Sequence, residues 1–242
     1  MPRRPAAPGA RSGLPLYLAT AFFARLAEEG MAVAVVLLAL QRSGSAGQGA
    51  FVLTAWMAPH VIAAPLVGTL VSRMRRPRLC YLGALGGFAV AIAVLATSVG
   101  RAPVQVTLAV ALVGGSCGPV VSGGLSSLIT GLLPAGGPRE RAYALDAAVY
   151  NAASVAGPAM AGLAAAVASP GAAMLLLAAA AATAAALATG LPYGRAQPAA
   201  ADNAPPARCA PILPRAWRPS GASVRCAPSP RAPVWPSSAW AA

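Results

Sequence analysis

The sequence has no lysine, and only five of its 242 residues are acidic. Charged residues of both signs make up 10%, far short of the roughly 25% with which a soluble domain faces water. There is one histidine, His60, and the four cysteines (Cys80, Cys117, Cys209 and Cys226) form no CxxC pair. That ligand supply argues against a zinc site or a disulfide framework. HExxH and clustered His or Cys are also missing, as is any phosphate-binding loop. These gaps argue against a membrane-embedded enzyme and against an ATP-driven pump, and no cofactor is expected.

What is there is apolar. Hydrophobic residues make up 57% and the mean hydropathy is +0.66. This predicts an all-α integral membrane protein, with room for about six spans of roughly 20 residues each. The formal charge of +13 comes from 18 arginines. A basic chain can point to nucleic acid, but arginines in loops and tails also orient a membrane protein, so the bilayer is the expected partner.

Residues 1–13 are basic and rich in Pro and Gly, and read as a disordered tail. Six apolar stretches follow: Leu14–Leu40, Phe51–Val71, Leu79–Val99, Val104–Leu133, Ala142–Ala168 and Pro170–Leu191. Short connections make consecutive helices neighbours in a bundle. The runs exceed the about 9–11 residues of a barrel strand and lack its alternation. The first run resembles a secretory signal as far as Ala24, but it resumes after Arg25, Glu28 and Glu29 and reads as a retained helix.

Loop arginines alternate between compartments. The N-terminal tail, second loop, fourth loop and C-terminal tail hold fifteen; the first and third loops hold only Arg42 and Arg101. The positive-inside rule then places both termini in the cytoplasm, in a multi-pass protein of the cell (plasma) membrane. Residues 192–242 hold 11 of the 24 prolines and three of the four tryptophans, with Asp202 as their one acid. They show no hydrophobic period and read as a disordered tail, closer in composition to a GC-rich gene translated out of frame than to a folded segment. The expected organisation is a tail at 1–13, a six-helix membrane domain at 14–191 and a tail at 192–242.

Two motifs stand out. The second loop reads Gly68-Thr69-Leu70-Val71-Ser72-Arg73-Met74-Arg75-Arg76. It resembles the G-x-L-x-D-R-x-G-R-[RK] loop between helices two and three of the major facilitator superfamily (MFS), matching at Gly68, Leu70, Arg73 and Arg76, with Arg75 keeping the positive sign of the loop. Ser72 replaces the acid, which in the family belongs to a latch between the two halves, and Arg75, after Met74, stands in the place of the glycine. The fifth run contains Ala153-Ser154-Val155-Ala156-Gly157-Pro158-Ala159-Met160-Ala161-Gly162. It is similar to the G-x-x-x-G-P-x-x-G-G signature of proton-coupled drug antiporters in that superfamily, with Gly157, Pro158 and Gly162 in place. Proline bends the helix and small residues let a neighbour pack against the bend.

The resemblance covers roughly residues 14–191 and is closest to actinobacterial proteins. It implies one six-helix half of a twelve-helix transporter, built from two inverted three-helix repeats, with the substrate path between halves. A fourth-helix arginine common in proton-coupled members is missing, since Val104–Leu133 carries no charge. That run is instead rich in glycine (Gly114, Gly115, Gly118, Gly123 and Gly124) and contains Pro119.

Five polar residues are the candidates for transport or coupling. Arg25, Glu28 and Glu29 stand at i, i+3 and i+4, so the arginine can reach either acid. Charge in lipid is costly, and the cluster must face the bundle interior. It reads either as a proton or cation site or as a self-neutralised pair. His60 can titrate near neutral pH or pack as a neutral ring. Asp146 near the start of the fifth helix suits the positive end of the helix dipole. The expected function is transport of an unidentified small molecule, with proton-driven drug efflux as the specific form, completed by a second half or another copy. The alternatives are a non-transporting remnant or membrane interaction subunit and, behind them, a membrane-embedded enzyme.

Overall fold

The computed structural model describes residues 10–73, 77–134 and 136–193, with the backbone alone for 10–12, 61–73 and 77. Residues 1–9 and 194–242, which make up most of both expected tails, lie outside the described residues.

The described residues are helical, with no strand among them. The helices are α1 (Ala10–Ser43), α2 (Ala46–Arg73), α3 (Pro77–Ser98), α4 (Val104–Leu132), α5 (Gly137–Val167) and α6 (Pro170–Ala188). Three of them, over Arg78–Ser98, Val104–Leu132 and Pro170–Ala188, are long and apolar enough by composition to cross a membrane. The polar candidates lie on α1, α2 and α5. α1 begins at Ala10, inside the stretch expected to be tail.

Local chemistry sets the ends. Ser169 caps α6 by accepting from Ala172 N at 3.1 Å, with Pro170 as the first helical residue; this uses a free backbone donor and a preset φ. The C-terminal carbonyls are met by arginines from elsewhere. Arg42 donates to Val99 O at 2.9 Å beyond α3, Arg78 to Thr189 O at 3.0 Å beyond α6, and Arg139 to Leu133 O at 2.7 Å beyond α4. The Arg42 stem fits because Gly100 takes φ 71°, and a Cβ there would stand 2.6 Å from Arg42 Cβ.

α4 is not a uniform helix. It is regular to Pro119 and passes through a π turn at Val120–Gly124, where Leu125 N reaches back to Val120 O. Short helical segments at Leu125–Ser127 and Ile129–Leu132 complete it. Proline removes a donor from the α ladder, and two glycines lower the barrier to irregular backbone.

α1 packs on α5, α6 and α2; α4 packs on α2 and α3; α3 also packs on α6. Lipid gives helices no hydrophobic reason to associate, so close backbone approach and dispersion must hold them. Gly157 of α5 lies on the α1 backbone, where an added Cβ would stand 2.8 Å from Gly30 N and Leu26 O. Gly115 of α4 lies closer still on the backbone of Trp56 in α2, and the Trp56 ring meets Phe88 of α3 at 5.3 Å. Apolar side chains also face outward, Val167 at 79% and Val155 at 73% exposure, as a lipid-facing surface requires.

Candidate functional site

The polar residues of the bundle fall into two clusters, both rooted on α1. Arg25 is 2% exposed. The expected pairing with Glu28 or Glu29 does not occur. Arg25 reaches across to α5 and binds Asp146, with Nη1 2.8 Å from Oδ1 and Nη2 3.1 Å from Oδ2. Nη1 also donates to the Asp146 carbonyl at 3.0 Å, and Nη2 to Ser126 Oγ at 3.0 Å. Asp146 accepts further bonds from Tyr17 Oη at 2.7 Å and from Ser126 Oγ at 2.8 Å. The Arg25 Cζ stands 5.4 Å from the Tyr150 ring centroid.

This corrects the sequence reading of Asp146 as well. Its helix starts at Gly137, so Asp146 is beyond the first turn where the dipole acts. Its partner is a charge, and it is 7% exposed. The physical reason is the crossing of α1 and α5. Gly30 meets Gly157 there, and towards the start of both helices Arg25 meets Asp146. An arginine beside a carboxylate with two more donors leaves neither charge uncompensated, the arrangement that buried ions need.

The second cluster joins α1 to α2. Glu28, 9% exposed, places Oε1 3.0 Å from His60 Nε2. Its Oε2 is buried without a hydrogen-bond partner among the described residues, as is His60 Nδ1. The pair leans on α4 at Gly118, where any Cβ would strike the His60 ring and stand 3.1 Å from Glu28 Oε1. Glu29 is half-buried beside Tyr150. In the first cluster both carboxylate oxygens of Asp146 are met by donors, although Arg25 Nε is buried without a partner among the described residues; in the second, the Glu28 carboxylate has one oxygen on His60 and one without a partner.

The motif residues divide. Gly68, Leu70 and Arg73 lie on the last turns of α2, where the backbone alone is described, and Arg75 and Arg76 lie outside the described residues. Gly157 makes the α1 crossing, with Ala153 and Ala161 buried one turn to either side. Pro158 lies within α5, and Gly162 has open space around its Cα rather than a packed neighbour. Sequence reasoning missed Tyr17, Ser126 and Tyr81; the last donates to Gly124 O at 2.9 Å. No group of three metal-binding side chains is found among the described residues.

Comparison with known proteins adds the family context. The family model described as Major Facilitator Superfamily matches residues 17–240, running past Leu191 into the stretch outside the described residues. The chain is also similar to an uncharacterized MFS-type transporter, y4rN, of Sinorhizobium fredii (strain NBRC 101917 / NGR234). The two are 33% identical over 153 residues, 62% of this chain and 37% of the relative. The chain therefore spans little more than a third of the curated relative it matches.

Proposed function

The chain belongs to the Major Facilitator Superfamily, and from that premise we propose that it supplies one half of a transport pathway for a small molecule. It is a multi-pass membrane protein of a family of transporters rather than enzymes. In this reading all six helices cross the bilayer of the plasma membrane, with both termini in the cytoplasm. Contacts between helices support the alternation. Odd-numbered α1 and α5 run in the same direction, as do α2 and α4, whereas α1 and α2 run oppositely, with Glu28 against His60 and Val36 against Gly49. The same contacts gather Arg42, Val99 and Gly171 at one end and Gly13, Leu132 and Pro192 at the other. Exchanging α1–α3 with α4–α6 maps the α1–α5 packing onto α2–α4 and the α1–α6 packing onto α3–α4. That symmetry supports two inverted three-helix repeats.

The observation that carries the coupling assignment is the buried Glu28 carboxylate, one oxygen on His60 and the other free. Glu28 and His60 hold and pass the coupling proton, while Arg25 and Asp146 tie α1 to α5. The driven process is efflux of a lipophilic substrate. The second half comes from further sequence, another copy or another protein.

Reconstitution tests this. Vesicles with an imposed pH gradient and a panel of lipophilic cations should show no saturable uptake with this chain alone. Uptake should appear on co-expression with a second six-helix half, and Glu28→Gln should abolish its pH dependence. Saturable uptake by the chain alone, or full pH dependence in Glu28→Gln, contradicts the reading.

A further inference from the structure

α4 touches both clusters. Gly118 receives the Glu28–His60 pair, and Ser126 binds both Arg25 and Asp146. Between these two positions lies the π turn, Val120–Gly124. After the turn, Leu128 N donates to Leu125 O at 2.9 Å. The Gly124 carbonyl is thereby released from the α ladder, and side chains take it: Tyr81 Oη from α3 at 2.9 Å and Ser127 Oγ at 2.6 Å. Tyr81 Oη also bonds Ser127 Oγ at 3.0 Å. On the near side, Ser122 Oγ donates to Gly118 O at 3.1 Å. A π turn holds one residue more than the α turn it replaces. If the same sequence ran on as an uninterrupted α-helix, Leu125, not Ser126, would face the Arg25–Asp146 pair.

We propose that this π turn is a hinge, by which the Leu125–Leu132 end of α4 carries Ser126 on and off the Arg25–Asp146 pair in answer to the state of Glu28 and His60 against Gly118. The proposal rests on the reading of Glu28–His60 as the coupling pair. Three features suit a hinge. The turn's backbone bonds are longer-range than those on either side, two of its five residues are glycines, and the Cβ direction of Gly123 is open, with nothing within 4 Å of where a Cβ would stand. Hydroxyl groups, which re-form bonds at small displacements, hold the released carbonyl.

The test uses the full chain in lipid nanodiscs, with Cys80, Cys117, Cys209 and Cys226 replaced by serine and spin labels placed in pairs. One pair, at Val90 and Gly131, spans the hinge; the control pair, at Val90 and Val113, does not, and all three positions are exposed. Glu28→Gln, which fixes the neutral form, should shift the Val90–Gly131 distance by about 2 Å and leave Val90–Val113 unchanged. Deleting Gly123 removes the extra residue while keeping Ser126 and Ser127 facing their present neighbours, and should abolish the shift. Tyr81→Phe removes the bond from α3 to the Gly124 carbonyl, leaving only Ser127 Oγ on it, and should broaden the Val90–Gly131 distribution. An unmoved Val90–Gly131 distance in Glu28→Gln, or a Gly123 deletion that responds like its parent, overturns the hinge. A shift in Glu28→Gln with transport that keeps its pH dependence leaves the hinge standing and removes the coupling role of Glu28.

Discussion

Two charged side chains three residues apart on α1 have opposite fates. Arg25 donates to a carboxylate, one hydroxyl and a backbone carbonyl, and both carboxylate oxygens of its Asp146 partner are engaged, while Arg25 Nε alone stays buried without a partner among the described residues. Glu28 faces one imidazole and keeps a free buried oxygen. Both pairs cross between helices and both are largely shielded from solvent. The difference lies in the two carboxylates. A buried carboxylate with both oxygens met by donors and an arginine beside it keeps its charge, whereas a carboxylate sharing one contact with an imidazole can give up or take a proton while keeping a partner. In the proposed reading the first holds helices together and the second changes.

The comparison breaks most visibly at Asp146. Asp146→Ala leaves the Arg25 guanidinium buried without its counter-charge and should lower stability by about 3–5 kcal/mol, read as thermal unfolding in detergent. The joint variant Arg25→Met with Asp146→Leu should recover much of that loss, because no charge is then stranded. Next comes the crossing that brings the pair together. Gly157→Val forces side-chain atoms onto the α1 backbone, where a Cβ alone already stands 2.8 Å from Gly30 N. It should lower stability by about 1–3 kcal/mol, and Gly162→Ala, with open space around it, should leave the unfolding temperature unchanged.

On the other cluster the same measurement should read a small effect. His60→Ala removes one interhelical contact and should lower stability by about 0.6 kcal/mol, the usual size of such bonds in a bilayer. If His60→Ala proves as damaging as Asp146→Ala, the division into a fixed and a changeable pair fails. The smallest effect belongs to Arg78, which meets Thr189 O at an exposed helix end. Arg78→Ala should alter stability by no more than about 0.5 kcal/mol.

Much of this was legible in the sequence, and the illegible part has a physical reason. Apolar runs located the helices, and the small residues around Pro158 marked α5 as a close-packing helix; Gly157 lies against Gly30. Arg25, Glu28 and Glu29 identified themselves as interior because lipid tolerates no free charge. Their partners were illegible. Spacing along one helix says which side chains share a face, but Arg25 and Asp146 are 121 positions apart and meet only because α1 and α5 cross. The arginines at 42, 78 and 139 signal topology, yet each also closes a helix end, a role that depends on which terminus lies nearby. The π turn left only Pro119 and the Gly123-Gly124 pair as cues, and glycines in a membrane helix are read first as packing residues.

His60 is the chain's only histidine, so a spectrum of 15N-histidine-labelled protein in nanodiscs contains one imidazole and tests the central division directly. Glu28→Gln should move the His60 Nε2 resonance, and Glu29→Gln should leave it in place. An Nε2 signal that answers to Glu29 instead, or to neither acid, would contradict the account.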